Sequence, residues 1–219
     1  MRHLSIIFDL DGTLLDTLAD IADSCNEVLI QHHFPTHPLP AYKGFVGNGL
    51  YTLIERMTPA DTADHVIQGC AALFTEIYSQ NWKRKSCLYD GINAMLSALK
   101  GHGKQLAVLS NKPHEFTTLC VDEFFPEGLF SIVYGQRTGF AKKPDPTVAL
   151  TIAAHLGSRP QDTVFVGDSG VDMKTAKAAG MTAVGVSWGF RSVEELRVNK
   201  ADIIVHNPLE LEQYVLFPT

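Results

Sequence analysis

Two aspartates, Asp9 and Asp11, stand directly after an apolar run in the stretch IIFDLDGTLLDT and are followed by Gly12 and the hydroxyl of Thr13. Negative charge at the exit of a buried strand is unfavourable unless a cation or a set of donors offsets it. Three other stretches offer such company. Ser110 and Asn111 follow the run QLAVL, Lys142 and Lys143 stand in AKKPDP, and Gly167, Asp168 and Ser169 follow TVFV with Asp172 close behind. Carboxylates, a hydroxyl, an amide and an ammonium are the groups needed to hold a cation, move a proton or grip an anion.

Each stretch alone has a plainer explanation. An aspartate after a strand is commonly a turn residue or a helix cap, and GDSG suits the start of a helix near Val171. Four successive strand ends carrying complementary polar groups favour a site over four unrelated caps. Of the adjacent lysines, Lys143 precedes Pro144, whose ring restricts the loop, and is expected to point inward while Lys142 is solvated.

The elements that must position these groups are six short β-rich runs: 4–10, 105–110, 131–134, 163–167, 182–186 and 202–205. Helical patterns lie between most of them. Ile92, Met95, Leu96 and Leu99 form one stripe with Gly101 or Gly103 as the stop; Val148, Ile152 and Leu156 form another before Gly157; and Ser192 with Glu195 offers a capping box. Continuous apolar strands alternating with helices predict an α/β fold with a parallel sheet covered on both faces. In such sheets ligands bind at the carboxyl ends of the strands, where all four polar stretches fall. From Thr17 to Trp82 only helical periodicity is present: Ile21, Cys25, Val28 and Leu29; Leu50, Leu53, Ile54 and Met57; Val66, Cys70, Leu73 and Ile77. The expected organisation is therefore a core of residues 1–15 and 85–219 interrupted by an all-helical cap, 16–84.

Composition narrows the function classes. The chain has 219 residues, 45% hydrophobic and 19% charged, which suits a globular protein with a full core. A net charge of −6 argues against nucleic-acid binding, and the one dense basic run, Lys83-Arg84-Lys85, reads as a solvated face. Cys25, Cys70, Cys87 and Cys120 lack metal-ligand spacing and read as reduced core residues; His32, His33 and His37 read as surface residues. The N-terminal apolar run is too short for a signal peptide, and no segment reaches the roughly 20 apolar residues of a membrane span. A cytoplasmic protein is expected, a monomer or homodimer, with no membrane or nucleic-acid partner.

In the order of its motifs the chain resembles the haloacid dehalogenase superfamily phosphatases. Asp9-Leu10-Asp11-Gly12-Thr13 matches the first motif of that family, Ser110-Asn111 the second, Lys143 the third, and Gly167-Asp168 with Asp172 the fourth. The helical block falls where the family carries a small α-helical cap, so the resemblance implies a Rossmann-like core. It also implies Mg²⁺, held by the Asp9 and Asp168 side chains and the Asp11 backbone carbonyl, with Asp172 steadying the metal's waters. Asp9 would be the nucleophile that forms an aspartyl-phosphate, and Asp11 the proton carrier for leaving group and water. Lys143, Ser110, Thr13 and Asn111 would hold the phosphoryl oxygens. The physical case is that phosphate monoesters need acceleration of up to ~10²¹-fold. A carboxylate also cannot approach a phosphate dianion unless cations intervene.

Asp11 argues against dehalogenases and phosphonatases, which lack a second aspartate in the first motif. Mutases of the β-phosphoglucomutase type carry a histidine where this chain has Ile21 and an arginine soon after a Lys-Gly pair, absent from Lys43-Gly44-Phe45-Val46-Gly47. The segments FVGNGL, GDSGVDMKTAKAAGM and WGF resemble those of bacterial phosphoglycolate phosphatases. The substrate that this implies is a small phosphorylated metabolite, with the carboxylate of 2-phosphoglycolate paired by Lys43 or Arg56. Other small phosphate esters remain open. A rival of another class is a phospho-accepting receiver-like signalling module, which also gathers carboxylates, a hydroxyl and a lysine around Mg²⁺. Receivers take the phosphoryl group on an aspartate after the third strand, where this chain has Gly135-Gln136-Arg137.

Overall fold

A computed structural model describes residues 4–217; the outermost ends of the expected core, 1–3 and 218–219, lie outside them. Six parallel strands form one sheet in the order β5-β4-β1-β6-β7-β8. They are β1 (Ser5–Phe8), β4 (Gln105–Pro113), β5 (Ile132–Gln136), β6 (Thr163–Gly167), β7 (Thr182–Val186) and β8 (Ile203–Val205). The six expected strands are all present, with ends shifted by up to three residues. β4 runs on to Pro113, which pairs with Gln136 across an irregularity after Leu109.

Alternation along the strands divides the core. Ile6, Phe8, Leu106, Val108, Val164 and Val166 face one apolar cluster, while Ile7, Ala107, Leu109 and Phe165 face the other. Helices α7 (Thr147–His155), α8 (Gly170–Ala178) and α9 (Val193–Val198) pack on the second side. Helices α5 (Ile92–Gly101), α6 (His114–Phe124) and α10 (Pro208–Leu216) pack on the first. Burial on both faces is why these strands read as unbroken apolar runs.

Four helices are inserted between β1 and α5: α1 (Leu18–Gln31), α2 (Leu39–Phe45), α3 (Leu50–Met57) and α4 (Asp64–Asn81). The α1 stripe is buried as expected, but α4 buries Ile67, Cys70, Phe74, Ile77 and Tyr78, so Val66 and Leu73 lie one residue off its inner face. The two crossings into the insertion pair as a short antiparallel ribbon, β2 (Leu15–Asp16) with β3 (Cys87–Leu88). Strands of two residues carry no readable alternation.

Three smaller expectations need correction. Cys87 is exposed on the ribbon, while the other three cysteines are buried. His37 is half-buried, its Nε2 2.7 Å from the Met57 carbonyl and its ring against Tyr42 and Phe45. Ser192 caps α9 through the Glu195 N–H, but the Glu195 carboxylate accepts from Gly170 N–H at 3.0 Å instead of closing a capping box. Among the described residues no helix is long and apolar enough to cross a membrane.

Candidate active site

The register explains how distant residues converge. Phe8 pairs with Val108 on one side and Val166 on the other, so Asp9 emerges centrally with Ser110 and Asp168 two residues beyond those partners. β1 is where the strand order runs off in both directions, the crevice in which parallel α/β sheets bind ligands.

At that point three carboxylates meet: ligand oxygens of Asp9, Asp168 and Asp172 all lie within 4.8 Å of one another, and all three residues are buried. Lys143 is inserted among them, its ammonium 2.9 Å from Asp9 and 2.6 Å from Asp172. Asp9 also accepts the Leu10 N–H at 2.7 Å, and Asp168 the Phe190 N–H at 2.7 Å. Asp172 takes the Ser169 N–H and hydroxyl on its other oxygen while Ser169 caps α8, so capping and membership of the cluster coincide. Two glycines make room for Asp168. A Cβ on Gly12, where φ is +82°, would lie 2.5 Å from its Oδ2, and one on Gly189 would lie 2.3 Å from its Cβ.

One lysine does not balance three buried carboxylates. Burial first, then the charge of Asp172, pushes Asp9 up to about 7 against the partial relief given by Lys143. Burial, then Asp172 and Asp9, likewise raises Asp168 well above the carboxylate range. Burial opposes the charge of Lys143, but Asp172 and Asp9 overcome it and hold the ammonium above its ordinary value. An under-neutralised set of hard oxygen donors suits a divalent cation such as Mg²⁺.

Asp11 stands apart from this cluster. Its carboxylate accepts from the Thr17 hydroxyl at 2.7 Å and from Lys112, whose ammonium lies 3.0 and 3.2 Å from its two oxygens. Thr17 holds the cap position of α1, yet its hydroxyl serves Asp11 instead of the helix N–H groups. Thr13 Oγ1 is buried with no hydrogen-bond partner among the described residues. The Thr13 carbonyl accepts from the Trp188 indole at 3.0 Å, so the WGF segment holds the loops of both Thr13 and Asp168.

Ser110 is buried and lines a small cavity of about 50 Å³ beside Asp9 and Asp11. Asn111 has its amide engaged elsewhere: Nδ2 donates to the carbonyls of Lys143 and Gly47, and Oδ1 accepts the Lys143 N–H at 2.9 Å. It is placed as a brace joining the Lys143 loop to the insertion. Gly47 and Gly49, both at positive φ, line the cavity as backbone.

Lys43 and Arg56 are not brought to the cavity. Lys43 is exposed, and Arg56 donates to the carbonyls of Gly44 and Phe45 at the end of α2 and lines a separate cavity with Ser169, Gly170 and Arg191 of the core. The end of α2 is spanned from the core side by Arg191, which donates to the carbonyls of Lys43, Gly44 and Val46. Lys112, Thr17, Tyr78 and Arg191 are site or bracing residues that strand-end reasoning missed. Lys112 alone had a local signal, as the third residue of the Ser110-Asn111 strand end.

Comparison with known proteins agrees with this geometry. The family model of haloacid dehalogenase-like hydrolases matches residues 6–186. The chain is 31% identical over 205 residues to a phosphoglycolate phosphatase of Pseudomonas putida, covering 91% of this chain and 75% of that one. It is also 31% identical over 199 residues to one from Psychrobacter arcticus, covering 88% and 86%. A solved structure from Lactobacillus delbrueckii subsp. bulgaricus, provisionally described as a phosphoglycolate phosphatase, superposes with TM-score 0.93 at 29% identity, covering 99% of this chain and 100% of that one. A predicted phosphatase from Clostridium acetobutylicum follows with TM-score 0.84 at 28% identity and 99% coverage of both. The chain belongs to the haloacid dehalogenase-like hydrolases, as an enzyme of their phosphatase kind.

Proposed function

We propose that this enzyme hydrolyses a small phosphate monoester through an aspartyl-phosphate on Asp9, with Mg²⁺, and that its substrate is 2-phosphoglycolate. The observation that carries the reading is Asp9 at the mouth of the central strand, beside Lys143, Asp168 and Asp172. Asp9, Asp168 and Asp172, with the Asp11 backbone carbonyl, would hold the cation, Asp172 through its waters. Bound there, Mg²⁺ offsets the repulsion between carboxylates and phosphate dianion.

An Asp9 oxygen attacks phosphorus, and the bond to the leaving alcohol breaks. Asp11 gives that alcohol its proton, then takes one from the water that cleaves the aspartyl-phosphate, returning Asp9 and releasing phosphate. The Ser110 and Thr13 hydroxyls and the Lys143 ammonium hold the phosphoryl oxygens. Asn111 serves by bracing the Lys143 loop.

The four-helix insertion, 16–84, acts as a cap over the core of 1–15 and 85–219, confining the leaving group to the small cavity. The names of the relatives support glycolate as the leaving group. The protein works in the cytoplasm as a monomer or homodimer on a diffusible metabolite. Steady-state phosphate release from a panel of esters with Mg²⁺, with Asp9→Asn as the blank, tests the reading. Continuous turnover with preference for 2-phosphoglycolate is expected. A stable stoichiometric acyl-phosphate would instead mark a receiver-like switch, and a sugar phosphate or nucleotide as best substrate would overturn the assignment.

A further inference from the structure

Lys112 has no role in the chemistry above, yet it is a buried cation in the substrate cavity. Its ammonium has three donors and spends them on the two Asp11 oxygens, at 3.0 and 3.2 Å, and on the Tyr78 hydroxyl of α4, at 2.9 Å. The Lys112 and Asp11 side chains are 4% and 10% exposed.

The cavity lies between Asp9 and Asp11 of the core and Leu50, Leu53 and Phe74 of the insertion. Of the residues lining it, Lys112 carries the one positive charge. A neutral leaving group has nothing to gain there from a lysine. A leaving group with its own carboxylate finds one counter-charge, whose donors are already taken, chiefly by Asp11. Binding such a group therefore exchanges one carboxylate for another on the same ammonium.

We propose that Lys112 reads the acid group of the substrate: the carboxylate on the leaving alcohol takes the ammonium over from Asp11, and Asp11, released, turns to the leaving oxygen. Selection and the freeing of Asp11 are then one event, because an ester without an acid group leaves Asp11 held by Lys112. Lys43, Arg56 and Lys142 are poorer candidates. The first two are exposed away from the cavity, and Lys142 donates to the Asn48 carbonyl at 2.9 Å outside it.

The inference rests on the phosphoglycolate reading, so the experiment separates the two. kcat/KM is measured with saturating Mg²⁺ for 2-phosphoglycolate and for 2-hydroxyethyl phosphate, which carries CH₂OH in place of the carboxylate, using the wild type, Lys112→Met and Lys112→Arg. The wild type is expected to favour the acid by roughly a hundredfold or more. Lys112→Met is expected to lose most of that ratio, and Lys112→Arg, which keeps the charge, to retain most of it. A wild type that favours the neutral ester overturns the substrate reading and the role of Lys112 with it. A wild type that favours the acid, with Lys112→Met slowing both esters equally, overturns the role of Lys112 alone. If circular dichroism shows Lys112→Met unfolded, inhibition of the wild type decides: glycolate is expected to inhibit at least roughly tenfold more tightly than ethylene glycol, and equal inhibition overturns the proposal.

Discussion

Asp20 and Ser86 tie the two crossings into the helical insertion together: the Asp20 carboxylate accepts the Ser86 hydroxyl at 2.7 Å and its N–H at 2.8 Å. The Lys85 N–H joins them at 2.9 Å. Asp20 is buried in the first turns of α1, while Ser86 directly precedes β3, so one side chain fixes the geometry at which the insertion leaves and rejoins the core.

Replacing Asp20 with alanine takes the acceptor from two backbone donors and a hydroxyl next to the core. Each unsatisfied buried group costs about 1–3 kcal/mol and the exposed Lys85 can turn its N–H to water, so with the two Ser86 donors stranded Asp20→Ala is expected to lose roughly 2–6 kcal/mol. Asp20→Asn, which keeps one acceptor oxygen, is expected to lose less. Urea unfolding with a common m-value measures both, and equal losses would mean the hydrogen bonds are not what Asp20 contributes.

The crowding of Asp9 predicts a pH dependence of stability in the metal-free enzyme. Its carboxyl is pushed from 3.8 to about 7 by burial, so between those values the folded state holds a proton that the unfolded chain has released. Stability is then greatest at the acid end of that window and falls as pH rises through it, on the order of 4 kcal/mol in all, with Asp168 acting in the same direction. Thermal unfolding in chelator from pH 5 to 8 is expected to show the fall. Asp9→Asn should flatten it, and Mg²⁺, which favours the deprotonated carboxylates, should stabilise most at the alkaline end.

Much of this arrangement was legible in the chain because buried parallel strands announce themselves. Ile6 to Phe8, Leu106 to Leu109 and Val164 to Val166 are unbroken apolar runs, and the first polar residue after each marks the sheet edge where ligands bind. The inner face of α4 was less so: Val66 and Ile67, and Leu73 and Phe74, are adjacent apolar pairs, and periodicity alone does not choose between neighbouring stripes. The partners of Lys112 and Arg191 were not legible, although Lys112 itself adjoins the Ser110-Asn111 strand end. Their partners Asp11 and Val46 lie 101 and 145 residues away, and a long cation can reach acceptors that no local pattern links to it. Lys43 and Arg56 show the converse, since charge in the expected segment is spent away from the small cavity, Lys43 in solvent and Arg56 on the carbonyls of Gly44 and Phe45.

Asp11 is assigned to proton transfer, and the leaving group tests that role. Asp11→Asn is expected to lower kcat by roughly 10²–10⁴-fold for an alkyl phosphate, whose alkoxide must be protonated as it departs. With p-nitrophenyl phosphate the leaving group departs unprotonated, so formation of the aspartyl-phosphate should be affected far less. Rapid mixing with that ester should show a burst of nitrophenol followed by a slow steady state, because the water that clears Asp9 still lacks its base. Equal losses for both esters with no burst would place Asp11 in metal binding or folding instead.

Arg191 links the core to the insertion from the opposite side of the site. Its guanidinium spans the carbonyls of Lys43, Gly44 and Val46 at the end of α2, with Val46 at 2.8 Å, and a cation there also complements the negative end of the helix. Only a planar fork reaches several carbonyls at once, so Arg191→Lys is not expected to replace it. Arg191→Ala should weaken closure of the insertion over the core by about 1 kcal/mol, enough to cut the closed population severalfold. Substrate binds productively only to the closed form, so KM should rise by roughly three- to tenfold, while kcat, measured at saturation, changes by less than about twofold. A fall in kcat with KM unchanged would mean that Arg191 acts on the catalytic loops through Phe190 and Asp168 and not on closure.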